Sequence, residues 1–341
     1  MKELADYVGV SIATVSRAFS GKGYINDITR KKILAVAKMY SYQPRKYQKK
    51  EKSIHLNTIA VVVPDIHNTY FMEVIQGIER VVERHGIEVV ICNTDERPDK
   101  EIRCLDMLVQ MGISGVIAVP VSIEETFNAE YLINMNNNNT PIVLLDRDLP
   151  SCNLDGVFMD NYNGAYQATQ KLIMNNHKNI AIISGPITSS SGLARLDGYR
   201  AALDKHHIPM QEDLILRGDF KFDLSYKLTK DLITSRPDVT AIFATNSRMS
   251  LGSLYALAEL HIVIPDDIAF ISCGRLGLEY GSITSVLYPT ETIGEECANI
   301  LLTKMRMGKT INQAVNIRRK VFEMKWQLQG SEKYPQRMFR P

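Results

Sequence analysis

Gly9 to Ile25 reads GVSIATVSRAFSGKGYI, and this stretch decides what kind of chain it belongs to. Leu4, Ala5 and Val8 are spaced as the apolar stripe of a first short helix, and Gly9-Val10 makes a tight turn. Ser11 is a natural N-cap for a second helix over Ile12–Phe19. Val15 and Phe19 fall on the inner side of that helix; Ala13 and Arg17, four apart, fall outward with Ile12 and Ser16 beside them. A helix showing small, aliphatic and Arg side chains near its N-terminus suits the DNA major groove: Arg17 can take guanine bidentately, while Ile12 and Ala13 offer apolar contacts to a thymine methyl. In the following SGKGY loop, Lys22 and Tyr24 can reach phosphates, and a third helix starting at an Asn26 cap buries Ile33, Val36, Ala37 and Tyr40.

Pattern alone also allows a packed helical hairpin without a ligand. Charge separates the two readings. Residues 1–52 hold twelve Lys and Arg against four acids, a net +8; the whole chain is +2, so the other 289 residues carry −6. The polyanion-binding part is therefore the N-terminal piece. A length of 341 residues allows two or three domains. No run of eighteen apolar residues and no apolar leader occurs, which predicts a cytoplasmic, nucleoid-associated protein without a membrane span. The five cysteines are odd in number and scattered, so reduced thiols are expected, with no disulfide framework and no metal. The histidines, His67 and His206-His207 among them, read as isolated surface residues.

Outward from the headpiece, Tyr42–Lys52 is a basic linker opened by Pro44. From Thr58 short aliphatic runs (59–63, 87–92, 115–119, 142–145) alternate with amphipathic helical stretches (70–85, 99–111, 124–136). The rhythm repeats with strands at 180–184, 214–217, 241–245 and 267–272 and helices near 163–175, 191–206, 222–234 and 249–261. Two doubly wound parallel halves imply a cleft at the carboxyl ends of their strands. Asn136–Asn139 reads as a surface turn, and SEKYPQRMFRP (331–341) as a frayed tail.

At this point the chain resembles the lactose-repressor (LacI/GalR-type) family of bacterial transcription regulators. The resemblance rests on the headpiece stretch together with IAVVVPDIHNTYF, MDNYNGAYQATQKLI, HKNIAIISGP, SGLARLDGYRAAL and PTETIGEECANILL, in that order. It implies an all-α helix-turn-helix headpiece joined to an α/β two-lobed core like that of periplasmic binding proteins. It also implies a homodimer or tetramer, a sugar-like effector in the cleft, double-stranded operator DNA as partner, and a hinge helix that orders on DNA. The expected organisation is a headpiece at 1–48, a hinge at 49–57 and a core at 58–330, followed by the tail. Within the core the N-lobe would take about 58–160 and 288–318, and the C-lobe about 161–287 and 319–330. The DNA-contact candidates are Ser11, Ile12, Ala13, Thr14, Ser16, Arg17, Lys22, Tyr24, Arg45 and Tyr47.

Positions matching the family's effector contacts are Tyr70, Phe71, Asp146, Ser191, Arg195, Phe220, Asn246 and Tyr288. Tyr70 and Phe220 can stack on a ring face, and Asn246 and Arg195 can bond hydroxyls or an anion. Phe71 reads as core before wall, and Asp146 equally as a helix cap. The family commonly carries Asn-Asp where this chain has Asn246-Ser247, followed by Arg248, and Asp-Asp where it has Gly274-Arg275. Two acids lost and two arginines gained suggest an anionic effector, such as a sugar acid or sugar phosphate, with Arg195 and Arg275 as clamps. The alternative leaves Arg248 and Arg275 solvated or paired with Glu279. In the hinge, Glu51 stands where the family's Leu wedges into the minor groove; Tyr47 and the surrounding lysines would replace wedge by charge. The family's few residues before the first helix are absent ahead of Met1, which suggests a frayed first helix or a start further upstream. A periplasmic-type sugar receptor without operator function is the competing reading of the core. No phosphate-binding glycine motif or catalytic constellation follows a strand, so an enzyme with a cofactor is not expected.

Overall fold

A computed structural model describes residue 5 and residues 8–20, 25–39, 57–124, 126–150, 152–277, 282–307 and 317–335. The chain divides into two units, Met1–Ile54 and His55–Pro341.

In the first unit, Gly9 takes a left-handed φ of 76°, and both its N–H and that of Val10 bond Ala5 O at 2.9 Å, which closes a turn ahead of Ser11. Ser11 Oγ accepts the Thr14 N–H at 3.1 Å and caps α1 (Ile12–Ser20); Asn26 Oδ1 accepts the Ile28 N–H at 2.8 Å and caps α2 (Asp27–Met39). Ala5, Val8, Val15, Ala18, Ile33 and Ala37 form the core. Phe19 and Val36, expected to be inner residues, pack at its edge because the small Ala18 takes the central position.

The second unit contains two six-stranded sheets. The first has the order β11-β5-β4-β3-β1-β2, with β1 Thr58–Val63, β2 Glu88–Asn93, β3 Val116–Ala118, β4 Ile142–Asp146, β5 Asp155–Met159 and β11 Arg319–Phe322. The second has the order β12-β10-β9-β8-β6-β7. Its strands are β6 Ile180–Ser184, β7 Ile215–Arg217, β8 Ala241–Ala244, β9 Ala269–Cys273, β10 Thr284–Leu287 and β12 Lys325–Gln327. All neighbours are parallel except β10 and β12. Fully buried runs such as Thr58–Val63 fit sheets covered on both faces. The covering helices are α3 Thr69–Val82, α4 Pro98–Met111, α5 Thr126–Asn137, α6 Asn161–Met174, α7 Ser190–Lys205, α8 Phe222–Ser235, α9 Ser247–Glu259 and α10 Thr290–Met307. Helices α3 and α10 approach backbone to backbone, since a Cβ at Gly294 would lie 2.0 Å from Val74 O.

The structure departs from the sequence-based expectations at three places. The return to the second lobe comes after Phe322 and not at 319, because β11 pairs with β5 in the first sheet before β12 joins the second. The start of the tail is not frayed: Ser331 and Glu332 are buried, with the Ser331 hydroxyl donating to Phe270 O at 2.6 Å and Glu332 accepting the Thr284 hydroxyl. His177 is fully buried rather than on the surface, hydrogen-bonded with the Thr240 hydroxyl at 2.9 Å.

Candidate functional site

Every wall of the cleft is the carboxyl end of a strand or the loop or helix start that follows it. Asp65, Asn68, Tyr70 and Phe71 follow β1; Glu96 follows β2; Asp146 and Arg147 end β4. From the second lobe, Ser191 and Arg195 follow β6, Phe220 and Lys221 follow β7, and Asn246 and Ser247 follow β8. Cys273 and Gly274 close β9, and Tyr288 comes after β10. The strand order reverses around β1 in one sheet and β6 in the other, which is where a doubly wound sheet opens a crevice. The empty space between these walls, counting the part open to solvent, is about 570 Å³.

The residues divide into scaffold and binding groups. Asn246 spends its amide on the protein: Oδ1 accepts the Met249 N–H at 2.7 Å, capping α9, and Nδ2 donates to Phe220 O at 2.9 Å. That second bond steadies Phe220 at a φ of 66°, with the ring lying where a Cβ on Gly185 would be, so Gly185 is the only residue type that fits beneath it. Phe71 is both core and wall, buried in the first lobe's cluster while bordering the cavity. Tyr70 donates its hydroxyl to Met159 Sδ at 2.9 Å, and Tyr288 packs against the cores of both lobes. Burial raises both phenols, so each stays a neutral hydroxyl. Ser191 Oγ lies 3.1 Å from Ser189 Oγ.

The charged groups are more informative. Arg195 donates Nε to Asn161 Oδ1 at 2.9 Å and Nη1 to Thr245 O at 2.7 Å. Arg147, which the sequence reading passed over, is held bidentately by Glu96 at 2.6 and 2.8 Å and lies 4.9 Å from the Phe220 ring centroid. Asp146 adopts a φ of 64°, and burial pushes its carboxyl up against the pull of Arg195 and Arg147. Among the described residues neither Asp146 Oδ1 nor Arg147 Nε, both buried, has a hydrogen-bond partner.

Arg275 is not part of this wall. Its side chain is 63% exposed and its Nε lies 3.5 Å from Glu73 Oε1, so it meets the opposite lobe and not the cavity. Arg248 likewise faces Asp65. Arg147 could have been suspected from its place directly after a buried strand; Glu96 could not, since its left-handed backbone (φ 57°) has no signal in Asp95-Glu96. On the headpiece, Ser11, Ile12, Ala13 and Arg17 are exposed on one side of α1, with Thr14 and Ser16 half-buried beside them. Lys22, Tyr24, Arg45, Tyr47 and the hinge with Glu51 lie outside the described residues.

A capped helix-turn-helix carrying its exposed Arg, on the same chain as a two-lobed core with a polar cleft, defines the class of ligand-controlled DNA-binding regulators. Family comparison agrees. The bacterial regulatory proteins of the lacI family match residues 1–45, and the periplasmic binding proteins and sugar binding domain of the LacI family match residues 56–325. The chain belongs to the LacI family and is a DNA-binding transcription regulator with a sugar-binding-type effector domain. It is 28% identical to catabolite control protein A of Priestia megaterium over 317 residues, 92% of this chain and 94% of that protein. It is 31% identical to the HTH-type transcriptional regulator DegA of Bacillus subtilis (strain 168) over 297 residues, 86% and 88% of the two chains. The solved complex of the transcriptional regulator CelR with cellobiose aligns at a TM-score of 0.72 and 26% identity, covering 96% of this chain and 98% of that one. Among the described residues no helix is long and apolar enough to cross a membrane.

Proposed function

We propose that the chain is a cytoplasmic repressor of a carbohydrate-utilisation operon, controlled by a neutral, polyhydroxylated sugar in the cleft. The observation that carries this reading is the pair of unsatisfied groups on one wall, the acceptor Asp146 Oδ1 and the donor Arg147 Nε. A sugar hydroxyl is donor and acceptor at once and satisfies both. The anionic group of a sugar acid or sugar phosphate, set at this wall, would satisfy only the donor and would bring its charge against Asp146. The cleft holds little cationic excess for an anion to use, because Arg147 is matched by Glu96 and Lys221 by Asp95. Arg195 supports the reading as a donor to a second hydroxyl, and Phe220 as the apolar face for the ring. This replaces the anionic effector that the arginines of the sequence suggested.

The working form in this reading is a homodimer. Exposed apolar side chains support such an interface: Ile91 on the edge strand β2, Met107 and Met111 on α4, and Tyr255 on α9. Fluorescence anisotropy with DNA from upstream of the gene, titrated with neutral sugars and with sugar acids and phosphates, tests the reading. A neutral sugar is expected to change DNA affinity; a response confined to the anionic members would sink it.

A further inference from the structure

Among the described residues three ion pairs bridge the lobes at the cleft, and all run the same way, acid on the first lobe and base on the second. Asp95 Oδ1 takes Lys221 Nζ at 2.8 Å, Glu73 Oε1 lies 3.5 Å from Arg275 Nε, and Asp65 Oδ2 lies 3.9 Å from Arg248 Nε. Across the same gap the buried Ser247 hydroxyl donates to Asn68 Oδ1 at 3.1 Å. Among the described residues none of these three bases forms an ion pair with an acid of its own lobe.

The acids are fixed before the bases arrive. Glu73 Oε2 accepts the Thr290 hydroxyl at 2.6 Å, and Asp65 Oδ1 accepts the His67 N–H at 2.9 Å. Arg248 is the second residue of α9, where the positive end of the helix disfavours a cation, and its Nε is buried with no hydrogen-bond partner among the described residues. Asp65 offsets that penalty only while the lobes are together. Opening the cleft would leave three like charges on each lip.

We propose that these pairs form an electrostatic clasp that holds the cleft closed without effector, with Arg248 and Arg275 as its positioning residues. The inference rests on the lobe geometry and holds whatever ligand the cleft takes. Partly exposed pairs are individually weak, so together they shift the balance of closed and open forms by about tenfold. Added salt weakens the bias, because partly exposed pairs are screened as the Debye length shrinks from about 10 Å at 0.1 M to about 3 Å at 1 M.

Hydrogen exchange read by mass spectrometry on the full chain, without any sugar, tests this at 50 and 500 mM KCl. Amides of residues 65–73 and 245–250 are expected to exchange several-fold faster at high salt, while strand amides in the two sheets stay unchanged. At low salt Arg275→Glu and Arg248→Glu are each expected to speed the cleft amides several-fold, while Arg275→Lys and Arg248→Lys keep the slow exchange and its salt dependence. Salt-independent exchange in the unaltered chain overturns the clasp. So does equal behaviour of the Lys and Glu variants, which would make both arginines packing residues only.

Discussion

Asp146 combines two costs that a protein does not retain for packing alone: a left-handed backbone on a residue with a side chain, and a buried carboxylate with one oxygen unbonded among the described residues. A sugar hydroxyl would repay the second. Asp146→Asn is therefore expected to leave the ligand-free protein at least as stable at pH 7, while weakening its sugar response about 10- to 100-fold. Thermal unfolding and calorimetry check the two halves separately. Glu101 makes a different prediction. It is 1% exposed on α4, accepts Asn128 Nδ2 at 2.5 Å and the Val121 N–H at 3.3 Å, and burial lifts its carboxyl to about 7, Asn128 and Arg147 opposing. The unfolded chain loses this proton near the ordinary value of 4.5 and the folded chain near 7, so between those values the folded form binds more protons. Stability should accordingly fall as pH rises from about 4.5 to about 7, by about 3 kcal/mol from this group. Glu101→Gln should flatten that slope in urea titrations at a series of pH values; an unchanged slope would assign it elsewhere. At this scale the placement of Tyr70, Asp146, Arg195 and Phe220 along the cleft was legible, because each follows the end of a strand readable in the sequence. The sequence was misleading at Arg275, because sequence position says which strand end a residue follows and not which lobe its side chain meets.

At the scale of elements, the buried aliphatic strands were readable because burial on both faces needs continuous apolar runs. β5, β10, β11 and β12 were not. β5 begins Asp-Gly, a turn signal; β10 begins with the polar Thr284 and Ser285, buried because Glu332, Ser331 and nearby backbone satisfy them; β11 is exposed along most of its length. Each depends on partners distant in sequence, which local patterning does not report. The α3–α10 crossing makes the same point with glycine. Gly294→Ala would force the helices apart at Val74 O, and a loss of about 1–3 kcal/mol is expected in urea unfolding. In the headpiece, Ser11→Ala removes the cap of α1, and about 1 kcal/mol of stability with it. Since α1 carries Ile12, Ala13 and Arg17, operator affinity should fall with that loss and recover in Ser11→Thr, which restores the cap without adding a negative charge beside the phosphates, measured by anisotropy.

At the scale of the whole molecule, charge and cleft divide the work. The basic residues 1–52 and the acidic remainder were visible as a net +8 against −6, and this asymmetry assigns DNA to one unit and the small molecule to the other. Glu51 stands where the resemblance to the family expects a wedging Leu; we propose that phosphate contacts therefore carry more of the affinity, with log K against log salt expected to be steeper than in a leucine-hinged relative. The most direct measurement is operator binding by the unaltered chain and by Asp146→Asn, each titrated with the neutral sugar that gives the largest response. The expected result is equal DNA affinity for both proteins without sugar, and a sugar-dependent change that the substitution weakens 10-fold or more. A full response in Asp146→Asn, or a response only to sugar acids and phosphates, would contradict a neutral sugar held by this cleft wall.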